Sequence, residues 1–239
     1  MKTGIMQPYF FPYIGYFQLI SAVDQWVVFD TAQYIRHGWI NRNRILHPEA
    51  GPKYIVVPLA KHSSGTPIKD IRVNQKTDWK SRILAQVSNY YRGRAPFFSS
   101  VMDLLEQAID DSERSLTQLL IKCLSAVCIH LKIPFQPILA SGIAISRSAI
   151  EHPGHWALRI SEAIGANKYI NPIGGKGLFV PSEFQSSGIE LSFLESKQII
   201  YDQGRKEFCE HLSIIDVLMW NSAERTRELL QQFRIVRST

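Results

Sequence analysis

The chain has 239 residues, 45% of them hydrophobic and 20% charged, with a formal net charge of +6 and a pI near 9.2. This length and balance exclude a disordered tail or a fibrous repeat and leave room for one α/β domain with a sizeable core. No run of eighteen apolar residues occurs, which excludes a transmembrane helix; the basic excess admits an anionic small ligand, a nucleic acid or an anionic membrane surface.

In chain order, Ile5-Met6 forms a short strand that ends at Gln7-Pro8, because proline donates no N–H to a ladder. Pro12 repeats the break, and Gly15 lies at the start of a helix read over Tyr16 to Val23. Trp26 to Asp30 is a second strand, β-branched and aromatic. Strand, Pro/Gly loop, helix and strand in succession make a βαβ unit. Ligands of open α/β sheets sit beyond the carboxyl ends of strands, where the Gln7–Gly15 loop and Asp30 are placed. Asp30 reads either as a general base with a pKa raised by desolvation or as the cap of the following turn.

Asn41, Arg42, Asn43 and Arg44 would make both faces of a strand polar, whereas a purely structural strand keeps one face apolar. The planar fork of Arg suits phosphate or carboxylate, and Trp39-Ile40 supplies an apolar anchor beside it. A solvated edge strand is the alternative. Lys53 to Leu59 reads as a strand stopped by Pro58, and Ile68 to Val73 as a half-buried strand. From Thr77 to Leu131 the pattern is helical. One helix is capped by Thr77 or Asp78 and ended by Gly93, a second opens at Pro96, and a third starts near Asp111-Ser112.

Pro134 to Ser141 reads as a strand, and Pro153 opens a helix ending at Gly165. A further strand to Pro172 runs into Ile173-Gly174-Gly175-Lys176-Gly177. Bare backbone N–H groups at Gly174 and Gly175 with the Lys176 ammonium suit an anion; a tight turn on positive-φ glycines is the alternative. The spacing is not that of a P-loop. Beyond it lie a short helix from Pro181, a strand over Ile189 to Phe193, a helix capped by Ser213, and a last helix over Ser222 to Phe233.

The three cysteines, Cys123, Cys128 and Cys209, match no zinc or redox spacing, and they read as buried thiols in a reducing compartment. No signal peptide is visible, so a cytoplasmic location is expected. The motifs H-E-x-x-H, C-x-x-C, G-x-S-x-G and G-x-G-x-x-G are missing, and no group has metal-ligand spacing. Basic residues interleave with acidic ones and form no stripe, so no nucleic-acid partner is expected.

Several stretches resemble the WbqC-like family: Gln7-Pro8-Tyr9-Phe10-Phe11-Pro12-Tyr13-Ile14-Gly15-Tyr16, Asp24 to Asp30, and Gly38 to Ile45. Tyr169-Ile170-Asn171-Pro172 with Gly174-Gly175-Lys176 continues the likeness, as does Leu212-Ser213-Ile214-Ile215-Asp216. The resemblance implies a bacterial polysaccharide locus, O-antigen loci among them, and transfer of a glycyl or similar acyl group to an amino sugar. Pro12-Tyr13-Ile14-Gly15-Tyr16 also looks like the H-x-G-H turn of nucleotidylyltransferases and class I aminoacyl-tRNA synthetases, where two histidines stabilise nucleotide phosphates. Here Tyr13 and Tyr16 stand in both places and carry no positive charge at neutral pH.

The combined expectation is a mainly parallel α/β sheet flanked by helices, with a nucleotidyltransferase-like (HUP) N-terminal βαβ and an embedded helical segment over 77–131. The function expected is acyl transfer to a small phosphate-bearing substrate, a nucleotide-linked amino sugar. Arg42, Arg44 and Lys176 would hold phosphates, with Gly174 and Gly175 beside them. Gln7, Tyr9 and Asn41 would orient the sugar, with Tyr13 and Tyr16 close by, and Asp30 would be the base. Adenylate-forming chemistry and non-catalytic sugar-nucleotide binding are the alternatives, and no cofactor is assigned.

Overall fold

A computed structural model describes residues 1–238. Among these residues, eight strands and eight α-helices follow one another. The N-terminal unit is β1 (Lys2–Met6), α1 (Ile14–Ala22) and β2 (Gln25–Val28). A hairpin follows, β3 (Arg42–His47) and β4 (Gly51–Val56). Then come α2 (Trp79–Tyr91), α3 (Phe98–Ala108) and α4 (Leu116–His130). The second half runs β5 (Ile138–Leu139), α5 (Gly154–Ala163), β6 (Lys168–Pro172), α6 (Pro181–Ser186) and β7 (Glu190–Ser196). It closes with α7 (Ile214–Trp220), α8 (Ala223–Leu230) and β8 (Phe233–Arg237).

The main sheet has the order β5-β2-β1-β6-β7-β8. All its pairings are parallel except β7 with β8. This bears out the mainly parallel α/β expectation. Tyr16, Phe17 and Leu19 of α1 pack with Trp26 and Val28 on one face. Ala157, Leu158 and Ile160 of α5 pack with Ile5 and Val27 on the other. Successive strand residues point to opposite faces, so α1 and α5 lie on opposite sides of the sheet. The chain therefore reverses its direction of winding between β1 and β6. Their ladder stops at Thr3 opposite Tyr169, while the strands run on to Met6 and Pro172. A crevice opens at that switch point, the usual place for a ligand in such sheets.

Several local expectations are corrected. Ile68–Asp70 is a single 3-10 turn rather than a strand, because Ile68 and Ile71, three apart, both turn inward and are fully buried. Asp30 lies two residues beyond the end of β2. The last helix stops at Leu230, and Phe233–Arg237 forms β8, whose edge position only its pairing with β7 determines. Gly174, Gly175 and Gly177 have no positive φ; the segment Ile173–Leu178 is 3-10 helical. Cys123 and Cys128 are buried, with burial pushing the Cys128 thiol up to about 12, but Cys209 is only partly buried.

Helices α2 to α4 fall within the 77–131 span and share one core with α1, α7 and α8. Asp78 caps α2 by accepting from Ser81 N, and Ser115 caps α4 by accepting from Gln118 N. Lys122 of α4 donates to Asp110 at 2.6 Å. That bond, with help from Ser112, holds the Asp110 carboxyl down at about 2, below its ordinary 3.8. A depressed pKa contributes stability that is present above pH 3.8 and is lost as pH falls through about 2. The Asp110 side chain is 32% exposed, so solvent screening holds the contribution to about 0.3–1 kcal/mol. Urea unfolding of the wild type and Asp110→Asn is expected to differ at pH 6 and to converge near pH 2. An unchanged gap would sink this assignment.

Candidate functional site

The crevice between β1 and β6 is a cleft of about 780 Å³, within the size range of small-molecule sites. Ile5, Met6 and Tyr169 line it from the sheet, and Phe29, Trp156, Phe179 and Tyr9 supply aromatic surface. Gln7, Gln33, Asn171, Glu151 and His152 are the polar groups on its surface. Neutral amides beside aromatic rings suit a sugar or a nucleoside better than a bare phosphate.

The Gln7–Tyr13 loop is held rigidly. Asn43 Nδ2 donates to the carbonyls of Phe10 and Phe11 at 3.1 and 2.9 Å. Ser213 Oγ donates to the same Phe11 carbonyl at 2.7 Å, and Tyr16 OH donates to the Gln7 carbonyl at 2.9 Å. Phe11 sits at φ 40°, a conformation costly for a bulky residue, and these bonds keep it there. The bulky aromatics thus form the frame of the loop as well as its surface.

A second, smaller cavity of about 250 Å³ is lined by Tyr9, Tyr13, Trp39, Asn43, Arg44 and His211. Tyr9 borders both spaces. Arg44 donates to the His211 carbonyl at 3.2 Å and its guanidinium lies 5.3 Å from the Trp39 ring centroid. Its Nε is buried without a hydrogen-bond partner. Burial raises the pKa of Tyr9, with a contribution from Tyr13, and burial raises that of Tyr13. Both phenols therefore remain protonated donors near neutral pH.

The structure thus brings together Gln7 and Tyr9 at the cleft, and Tyr9, Tyr13 and Arg44 at the smaller cavity. The remaining candidates are engaged elsewhere. Arg42 donates to the carbonyls of Gly38, at 3.1 Å, and His37, and stacks 4.2 Å from the Tyr54 ring centroid. Asn41 accepts from Tyr34 OH and donates to the Val57 carbonyl, both at 2.8 Å. Tyr16 is buried beneath the loop. Lys176 is exposed and lines neither space. Gly174 has open space where a Cβ would stand, but a Cβ on Gly175 would meet Asn171 Nδ2 at 2.2 Å; Gly175 is there for close approach. Asp30 is 1% exposed, and its two oxygens accept from Ser141 N at 2.9 Å and Ser141 Oγ at 2.6 Å.

Beside the cleft, His152 and His155 converge on Glu183 of α6. His152 Nε2 lies 3.0 and 3.2 Å from the two Glu183 oxygens, and His155 Nε2 lies 3.1 Å from one of them. Gly154 N–H faces His152 Nδ1 at 3.2 Å, and Glu151 N–H faces His155 Nδ1 at 3.1 Å. An imidazole that accepts on Nδ1 carries its proton on Nε2, so both rings donate to the carboxylate. Burial acts to raise the Glu183 pKa, but the bonds from His152 and His155 outweigh it and leave it lowered.

These three residues could offer ligand atoms to a metal ion. Metal on Nε2, however, would put the remaining proton on Nδ1, against a backbone N–H. Metal-bound histidines instead turn their second nitrogen to an acceptor. The donor set fits an imidazole–carboxylate pair, not a metal. Sequence reasoning passed over these residues, although His152-Pro153-Gly154-His155 has the H-x-G-H spacing sought at residues 13–16. Glu183, thirty-one positions from His152, carried no such signal.

Fold and site together define an α/β protein with a cleft at the switch point of its sheet. A profile of the WbqC-like protein family matches residues 7–228, and the chain belongs to that family. It is 33% identical over 135 residues to the uncharacterized protein Rv1507c of Mycobacterium tuberculosis, a match covering 55% of this chain and 57% of that protein. No solved structure matches the chain. Among the described residues no helix is long and apolar enough to cross a membrane.

Proposed function

We propose that the protein is a cytoplasmic transferase of bacterial surface-polysaccharide synthesis, O-antigen included, that moves a glycyl or similar acyl group onto a nucleotide-linked amino sugar. The carrying observation is His152, a cleft residue oriented by the Glu183 carboxylate. An oriented imidazole is the commonest general base. As the sugar amine attacks the acyl carbon, the C–N bond forms and the donor's leaving group departs. The amine proton passes to His152 Nδ1 as that nitrogen turns away from the Gly154 N–H it faces, and Glu183 stabilises the resulting imidazolium.

In this reading Gln7 orients the sugar, and Trp156 and Phe29 offer surface for the base. Arg44, beside Tyr9, is the cation placed to meet phosphate. Asp30 acts as a positioning residue, because Ser141 engages both of its oxygens.

A second reading, nucleotidylyl transfer, draws on the H-x-G-H spacing at 152–155 beside the same cleft. A thermal-shift screen with UDP- and dTDP-amino sugars, ATP–Mg²⁺, glycine and acyl-CoA separates the two. A nucleotide sugar at a hundred times its Kd is expected to add about 2.7 kcal/mol of stability, reduced in Gln7→Ala and Arg44→Ala. A shift with ATP–Mg²⁺ alone would favour nucleotidylyl transfer. No shift with any sugar nucleotide would overturn the proposal.

A further inference from the structure

The 780 Å³ cleft has no lysine or arginine on its surface, and the one carboxylate there, Glu151, is exposed. A negative charge on a ligand held in it has to be met alongside. Among the described residues, Tyr9 alone lines both the cleft and the 250 Å³ cavity. That smaller space has room for one ligand group rather than a whole ligand. Its wall carries a guanidinium, two phenols and an imidazole, and no carboxylate.

Arg42 and Arg44, two apart on β3, lie on the same face of the hairpin, yet they are engaged differently. Arg42 uses its guanidinium on two backbone carbonyls and the Tyr54 ring. Arg44 gives one N–H to the His211 carbonyl, and its buried Nε has no partner. Among the described residues it forms no ion pair. The carboxylates of this region, Glu210 and Asp216, are already taken. Glu210 accepts from Gln198 Nε2 at 3.1 Å and lies 3.7 Å from His211 Nε2. Asp216 accepts from Tyr91, Tyr201 and Gln203. A partly buried cation without a counter-ion is costly until an anion meets it.

The guanidinium is also fixed in advance. Arg44 N donates to Asn43 Oδ1, and the Arg44 carbonyl accepts from Ser213 N, both at 2.8 Å. The Trp39 ring lies against the guanidinium, and the His211 carbonyl holds its edge. His211 sits at φ 58° and Phe11, between Tyr9 and Tyr13, at φ 40°. Strain of this kind persists only where surrounding contacts enforce it, and it gathers at ligand sites. The four buried tyrosines, Tyr16, Tyr34, Tyr91 and Tyr169, each engage the hydroxyl in a hydrogen bond. Among the described residues, Tyr9 and Tyr13 engage theirs with no protein group, so two O–H donors are left for a ligand.

We propose that the 250 Å³ cavity is an oxyanion site, in which Arg44 pairs with a phosphoryl or carboxylate group and Tyr9 and Tyr13 donate to the same oxygens. One guanidinium and neutral donors balance a single negative charge. The site rests on the reading of Arg44 as the cation that meets the ligand, and it adds the phenols and the enclosed space. A ligand with its neutral part in the cleft would reach the cavity past Tyr9.

Titration of the ¹⁵N-labelled full chain with inorganic phosphate or with acetate, at fixed ionic strength, tests it. The Trp39 indole N–H resonance, from the cavity wall, reports binding in every variant. A saturable shift with either anion is expected, and the tighter of the two names the source of the oxyanion. Arg44→Gln is expected to weaken binding by about tenfold or more, and Tyr9→Phe/Tyr13→Phe by about threefold to tenfold. The second variant removes hydroxyls that hold no protein group, and unchanged far-UV circular dichroism and melting would certify both folds. The proposal fails if neither anion gives a saturable Trp39 shift, or if either folded variant binds as tightly as wild type. Anion binding without any sugar-nucleotide effect on melting would keep the cavity and overturn the acyl-transfer reading. A sugar-nucleotide effect without anion binding at Trp39 would do the reverse.

Discussion

A His152→Ala chain is expected to fold normally and to lose about a hundredfold to ten-thousandfold in kcat, the usual contribution of a general base. The side chain is partly exposed at the start of α5, so truncation leaves no large core cavity. Glu183→Gln is expected to lose less, about tenfold to a hundredfold, because the amide still orients the ring but cannot stabilise its cation. Retained KM with reduced kcat in both variants would place the pair in the chemical step. A structural tie between α5 and α6 predicts something else: lowered melting temperature with kcat intact. The nucleotide sugar found by thermal shift is the substrate for the assay, with product amide followed by mass spectrometry. Equal kcat in wild type and His152→Ala would remove the base from this mechanism.

The largest stability effect is expected at Asp216. Its side chain is fully buried, and burial raises its pKa while the bonds it receives act the other way. Tyr91 OH and Tyr201 OH each donate to it at 2.6 Å, and Gln203 Nε2 donates at 3.1 Å. Tyr91 OH also accepts from Leu46 N at 3.0 Å. One carboxylate thus ties α7 to α2, to β3 and to the irregular segment before α7. Gln203 extends the tie by pairing with both the N–H and the C=O of Cys209.

Asp216→Ala leaves three buried donors without their acceptor, and a loss of about 3–5 kcal/mol is expected. For a chain of this length that lowers Tm by roughly 6–20 °C. Asp216→Asn keeps one acceptor but sets an amide N–H against a donor, so it falls between the two. Chemical denaturation of the three proteins measures the order, and a loss below about 1 kcal/mol in Asp216→Ala would contradict the network. The expected site loss is different in kind: His152 variants lose turnover, Asp216 variants lose the fold that places Arg44 and His211.

Much of the architecture was legible in residues alone. Proline and glycine placed the loop after β1, because their backbone restrictions are local. Asp78, Ser115, Ser213 and Ser222 each cap a helix by accepting a backbone N–H; Asp78, Ser213 and Ser222 stood at the helix starts read from sequence. Gln7 and Tyr9 reached the cleft because they follow β1 directly, and strand ends govern site position in this class of sheet.

What the sequence by itself determined was therefore set by local chemistry: strand and helix starts, the βαβ unit, and the loop that carries Gln7 and Tyr9. Which polar groups remain free was a tertiary matter. Asn41, Arg42 and Asp30 read as ligand groups by type, but Val57, Gly38 and Ser141 supply their partners through folding. The reverse holds for His152, His155 and Glu183, which α5 and α6 bring to one point. Hydrogen bonds between distant segments depend on where strands pair and helices cross, and no local spacing encodes that geometry.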